Sequence, residues 1–238
     1  LKVDSLGNFL WSRHFGGAES DGGKRVMYIE DEGVLIAGFT NSFGNGAYDF
    51  YLTKVDLAGN QLWEEAYGTS SWDRVYDAAL TKDSGVIMVG ETLNTEDGES
   101  DILIVRTDKN GAEVWSQQLG GAEKDVATCI QSFDDSTFII GGTTYVEDSL
   151  KNKGLLLRLE DNGDLWWMDT VGVNGDYQIN SVSVAYSTIN AVGRLIKMGG
   201  DTANFQQKYN LQGDFQYEFF DNNVGVDYMQ AIVPFGNT

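Results

Sequence analysis

Several residue types are scarce in this chain of 238 residues: proline, cysteine and histidine occur once each, and there are 16 bases against 36 acids. A single cysteine, Cys129, excludes an internal disulfide and a cysteine-based metal cluster. A single histidine, His14, excludes the multi-histidine sites of zinc hydrolases. No Gly-x-Ser-x-Gly elbow opening a helix accompanies it for a Ser-His-Asp arrangement. No apolar run reaches about 18 residues, so no membrane insertion is expected. The formal net charge of −20 repels nucleic acid and anionic membranes and argues against both as partners. Cations, basic proteins and neutral sugars stay open. With 29 glycines and one proline, turns must be built from Gly, Asp and Asn.

What is present is a repeat. The stretch Asp56-Leu57-Ala58-Gly59-Asn60-Gln61-Leu62-Trp63 is rewritten along the whole chain, with its glycine at Gly7, Gly59, Gly111, Gly163 and Gly213. The steps are 52, 52, 52 and 50 residues. An aromatic stands four positions after each glycine: Trp11, Trp63, Trp115, Trp167 and Tyr217. The acid at the start of the first four copies, and Asn210 in the fifth, can accept a backbone N–H two residues on, and the glycine supplies the positive φ of a bulged hairpin. A period this constant marks units that each bury a face against the next.

Within one period four short apolar pieces alternate with turns. The first pieces are Arg25 to Ile29, Arg74 to Leu80 and Val126 to Phe133; their apolar spacing is not shared between copies, which favours strand over helix. Second strands are Val34 to Gly38, Val86 to Gly90 and Phe138 to Gly142, solid apolar runs that read as strands buried on both faces. Third strands begin at Phe50, Ile102 and Leu155, and fourth strands carry the repeated aromatic. Four antiparallel strands in about 50 residues, with no helix, predict an all-β fold: a β-propeller of four-stranded blades. Repeats fall near 17–67, 68–119, 120–171 and 172–221, with 1–16 and 222–238 forming a closing blade. Five blades are expected, or a larger wheel of which this is a piece. In the fourth repeat the first turn is expected to lengthen (Ser187 to Gly193) and the loop after the second strand almost to vanish. The chain opens inside a repeat without an initiator Met, so a longer parent protein is expected.

The run Gly-Gly-x-x-x-Asp, then Asp-x-Gly-apolar-Ile-Ala-Gly-x-Thr, then Asp49-Phe50-Tyr51-Leu52-x-Lys54-x-Asp56-x-x-Gly59-Asn60-x-x-Trp63 resembles a bacterial secreted β-propeller repeat family. The resemblance covers most of residues 1–176. It implies the propeller fold and an extracellular or cell-surface setting, and leaves the biochemical role open. The Asp-x-x-Gly-x-x-x-Trp part is also similar to the tryptophan docking motif of quinoprotein propellers.

Three repeated polar sets follow the period. Asp21, Asp73 and Asp125, with Asp176 and Asp227 near the corresponding places, precede the first strands. They would ring one mouth of a central channel, either as a cation or ligand site that admits Ca²⁺ or as caps on their own loops. Lys2, Lys54, Arg106, Arg158 and Lys208 precede each hairpin acid by two residues and read as structural ion-pair partners with packed stems. The oxygen-rich loop Asn94 to Asp101 lacks the spacing of a calcium loop. Trp72 departs from the repeat; beside Ser70, Ser71 and Asp73 it suits either sugar stacking or loop packing. Trp166 lies next to the repeat Trp167 and alternates to the other face.

Nothing selects a catalytic pair among 36 acids, so no catalytic residue and no required cofactor is assigned. The reading is a non-enzymatic, secreted or cell-surface interaction module with a protein or glycan partner. Ligand-binding candidates are Trp72, Asp73, Asp21, Asp125 and Asp227. A lectin-like binder, and then a carbohydrate-active or quinone-linked domain, are the alternatives.

Overall fold

The computed structural model describes residues 1–93, 98–146, 151–172 and 175–221. Four antiparallel sheets of four strands follow one another along the chain. The first holds β3 (Asp21–Ile29), β4 (Gly33–Thr40), β5 (Asp49–Val55) and β6 (Gln61–Tyr67). The second holds β7 (Asp73–Leu80), β8 (Val86–Leu93), β9 (Ser100–Thr107) and β10 (Glu113–Leu119). β11 (Asp125–Ser132), β12 (Thr137–Val146), β13 (Lys151–Glu160) and β14 (Leu165–Val171) form the third. The fourth is β15 (Asp176–Ala185), β16 (Thr188–Ile196), β17 (Thr202–Asn210) and β18 (Phe215–Asp221). Ahead of them, β1 (Lys2–Val3) and β2 (Phe9–Trp11) make a two-stranded hairpin. Each strand pairs with its sequence neighbour, so every sheet is a meander, and consecutive sheets stack face to face as propeller blades.

The apolar runs of the second and third strands are explained by that stacking. Side chains alternate across a sheet, and both faces of an inner blade are covered. Val86 and Met88 join a core shared with blade one, with Met27, Leu35 and Phe50. Ile87 and Val89, from the same strand, join a core shared with blade three, with Phe138, Ile140 and Leu157. A third core, with Ile139, Leu156, Ile189 and Phe205, lies between blades three and four. There is no polar face for a period-two pattern to mark.

The hairpins fasten neighbours at the outer ends. A Cβ built on Gly111, whose φ is +87°, would lie 2.9 Å from the ring of Trp63 of the preceding blade. Gly59 stands in the same relation to Trp11 at 3.0 Å, and Gly213 to Trp167 at 3.1 Å. Trp115 Nε1 donates to Asp161 O at 2.9 Å, and Trp167 Nε1 to Leu211 O at 3.2 Å. Glycine is thus required twice over, for a left-handed backbone and for room under an indole. Because Trp11 makes this contact and Lys2 Nζ donates to Leu57 O at 3.0 Å, the β1–β2 hairpin takes the place of strands three and four of a blade ahead of blade one. Residues 222–238, assigned to the closing blade, lie outside the described residues, as does Asp227.

Two expectations for the fourth repeat are corrected. Its first turn is short, not long: Ala185 pairs with Thr188 across Tyr186 and Ser187, whose φ values are +50° and +63°. This is a two-residue turn of the twist that hairpins favour, made without the usual Asn-Gly. The stretch 187–193 belongs instead mainly to β16, with Ile189, Ala191 and Val192 buried. The loop after β16 spans five residues, 197–201, rather than vanishing. Asp176 is also not the register partner of Asp125. A Cβ on Gly172 would meet Tyr177 at 2.3 Å, as one on Gly120 would meet Asp125, and Tyr177 therefore holds the aspartate's place in blade four.

Candidate functional site

First strands lie innermost, and their N-terminal ends surround one mouth of the channel. Each carries a bulge, where Lys24, Tyr76, Thr128 and Asn180 are the inserted residues. A cavity of about 360 Å³ opens there across blades two, three and four. Tyr76 and Glu91 contribute from blade two, Lys124, Val126, Thr128, Thr143 and Asn152 from blade three, and Asp176, Gln178 and Arg194 from blade four.

The aspartates at this end are engaged by their own loops. Asp21 Oδ2 accepts Gly17 N and Ser42 Oγ, each at 2.9 Å, and Oδ1 accepts Thr40 Oγ1. Asp73 Oδ2 accepts Thr69 N at 2.5 Å, and Asp125 Oδ2 accepts Gly121 N at 3.0 Å. Asp73 is fully buried and Asp125 nearly so. Among the described residues no group of three or more His, Cys, Asp or Glu side chains is placed to hold a metal ion.

Each of two aspartates has a companion that the sequence reading passed over. Oxygens of Asp49 and Asp73 lie 2.7 and 2.3 Å from one point, the would-be Cβ of Gly68, so they are at most 5.0 Å apart (2.7 plus 2.3). Asp101 and Asp125 converge on Gly120 in the same way, at 2.0 and 2.9 Å. Burial foremost, and also the charge of Asp73, push the Asp49 carboxyl above the usual carboxylate range, against the Gly46 amide that lowers it. Burial likewise raises Asp125. The signal was available: Asp49 and Asp101 are 52 apart and each precedes its companion by 24.

Trp72 is half-buried rather than displayed. Its ring stands edge-on to Tyr48 at 6.0 Å, and its backbone pairs with Tyr48 in an isolated bridge. Arg74, also passed over, lies at the centre of this group. Its Cζ is 5.6 Å from the Phe39 and Trp72 ring centroids and 5.8 Å from that of Tyr76. The Tyr76 hydroxyl donates to Glu91 Oε1 at 2.5 Å; burial first, then this bond, push its pKa up to about 12. Glu91, itself buried, also accepts Ser100 Oγ at 3.0 Å and faces Lys124 Nζ at 3.7 Å.

The repeated bases sit at the hairpins, away from the mouth. Arg106 bridges Asp83 of its own blade at 2.9 Å and Asp161 of the next at 3.1 Å. Lys54 pairs with Glu32 at 2.6 Å, and Arg158 donates to Leu211 O at 3.0 Å while covering Trp166 with its Cζ 3.9 Å from the ring centroid. Lys208 lies 5.6 Å from the centroid of the exposed Tyr217 ring. His14 is exposed. Cys129 is buried, and burial pushes its thiol up to about 12, which holds it as an inert thiol. Of the loop Asn94 to Asp101, residues 94–97 lie outside the described residues.

No protein-family model matches the chain. The chain is 26% identical to regulatory protein FlaEY of Caulobacter vibrioides over an alignment that takes in 66% of this chain and 18% of that protein. Among solved structures it is similar to the Pan2 WD40 domain of Neurospora crassa, with a TM-score of 0.53, 11% identity, and coverage of 82% of this chain and 51% of that one. The fold is therefore that of a WD40-like β-propeller. The chain spans about half the length of that structure and under a fifth of the Caulobacter protein.

Proposed function

We propose that this propeller is a non-enzymatic interaction module of a secreted or cell-surface protein, and that it docks a protein partner over the channel mouth formed by blades two to four. One observation carries the reading. In a repeat, what the fold demands recurs in every copy; a position that changes from copy to copy is released from that demand. The hairpin glycines and indoles recur, as do Gly38, Gly90, Gly142 and Gly193, whose missing side chains leave room for the first strand's carbonyls. The mouth positions do not recur. Just ahead of Asp21, Asp73, Asp125 and Tyr177 stand Ser20, Trp72, Lys124 and Asp176; just after them stand Gly22, Arg74, Val126 and Gln178; at the bulge stand Lys24, Tyr76, Thr128 and Asn180.

A concave surface of mixed aromatic and charged side chains on a rigid frame suits recognition. A regulatory relative is compatible with such a role, and the resemblance to secreted bacterial propeller repeats supports an extracellular setting. Trp72 is committed to Tyr48 and Arg74, which favours a protein over a stacked glycan. The test is a plug. Gln178 is exposed on the cavity wall, so Gln178→Trp fills the mouth without touching a core. A partner cross-linked to the native chain should be lost from this variant and kept by Leu62→Ala at the rim. Retention by Gln178→Trp contradicts the reading.

A further inference from the structure

We propose that the mouth recognises an acidic peptide segment, with the Arg74 guanidinium as the anchor for a partner carboxylate; this rests on the docking reading above. Arg74 is held differently from the hairpin bases. Lys54 and Arg106 each meet carboxylates at 2.6 to 3.1 Å. Among the described residues no acid pairs with Arg74, although acids outnumber bases 36 to 16; three rings surround it instead. Ring faces hold a guanidinium in place through their quadrupoles but leave most of its five N–H donors unused. Those donors form a planar fork that matches a carboxylate in two parallel bonds.

The fold has no need of arginine there, since glycine, valine and glutamine fill the same register position in the other three blades. The acids of the mouth are already engaged. Glu91 takes Tyr76, Ser100 and Lys124, and Asp176 Oδ1 accepts Asn152 N at 2.9 Å. Among the described residues Arg74 thus stands without a carboxylate in a protein whose net charge is −20, and Lys124 and Arg194 line the cavity on the other side of Tyr76. The overall field repels polyanions such as nucleic acid, while a segment bearing one or two carboxylates reaches the local positive site. The adjoining cavity of 360 Å³, lined by Tyr76, is at the small end for a ligand pocket and accommodates one or two side chains flanking that carboxylate.

The experiment is a surface array of random octapeptides probed with the labelled chain, followed by anisotropy titration of the strongest binders. Bound peptides should be rich in Asp and Glu, and replacing those by Asn and Gln should weaken binding at least tenfold. Arg74→Gln installs the residue that blade four carries, so its melting temperature should stay near the native one while affinity falls at least tenfold; Arg74→Lys should restore part of it. Enrichment of lysine peptides, equal binding by the amide peptides, displacement by inorganic phosphate at millimolar concentration, or an array with no bound peptide overturns the proposal. Peptides blocked by Gln178→Trp but indifferent to Arg74→Gln would overturn the carboxylate anchor and leave the docking site standing.

Discussion

The rim and the mouth of this propeller are built from the same repeat under opposite constraints. At the rim, each indole lies over the glycine of the following hairpin, and the chain writes Asp-x-x-Gly-x-x-x-Trp three times and, with Glu160 in place of the aspartate, a fourth. At the mouth, three side chains per blade differ in size, charge and polarity while the backbone beneath them keeps its bulge. Packing density explains the first: a methyl group under an indole has nowhere to go. Freedom from packing explains the second. The difference assigns stability to the rim and leaves the mouth free for the docking proposed above, and substitutions at each end should separate the two properties.

The largest effect belongs to the rim. Trp63→Ala should lower the unfolding free energy by about 3 kcal/mol, measured by urea denaturation, because it empties the seam between blades one and two. A smaller loss follows from the glycine side of that contact. Gly111→Ala combines an unfavourable positive φ with overpacking and should cost about 2 kcal/mol. Gly7 has a φ of +84° but no described neighbour within 4 Å of its would-be Cβ, so Gly7→Ala should cost about 1 kcal/mol, from the backbone alone. Equal losses at the two glycines would remove indole docking from the explanation.

The aspartate pairs between blades sharpen the comparison through pH. A carboxyl whose pKa is raised on folding binds its proton more tightly in the folded state. It therefore favours folding below the ordinary value of 3.8 and loses that contribution as pH rises through the raised value. Asp49→Asn removes the charge facing Asp73 and keeps an acceptor for Gly46 N. The variant should be more stable than the native protein at pH 7, with the gap closing as pH falls toward the ordinary carboxylate range. Melting curves across pH check this, and a gap that widens on acidification would contradict it. The smallest expected effect is at the mouth, where Gln178→Trp should change stability by no more than about 0.5 kcal/mol.

These contrasts also explain what was legible in the sequence. Glycine and indole at a fixed spacing announce a hairpin and its neighbour, so blades one to three could be located from Gly59, Gly111 and Gly163 with Trp63, Trp115 and Trp167. Blade four was harder. Its first turn is made by Tyr186 and Ser187, residues that carry no turn signature, and Tyr177 has displaced the aspartate that marked the first strand elsewhere. At the mouth, attention to what recurs selected Asp21, Asp73 and Asp125, whose carboxylates hold their own loops. Arg74 left no repeating signal because it is a departure from the repeat; of its neighbours, only Trp72 drew notice in that way. The pairing of Asp49 with Asp73 was written in the spacing, yet its meaning needed the close approach at Gly68 to be seen.

The contact on which the account rests is the seating of an indole on the next blade's glycine, and a double-mutant cycle measures it directly. Gly111→Ala should be less costly by about 1 kcal/mol or more when Trp63 is already alanine, because the clash is gone and only the backbone penalty is left. Costs that add within about 0.3 kcal/mol would show that the two residues do not feel each other, and the blades would have to be held together by other means.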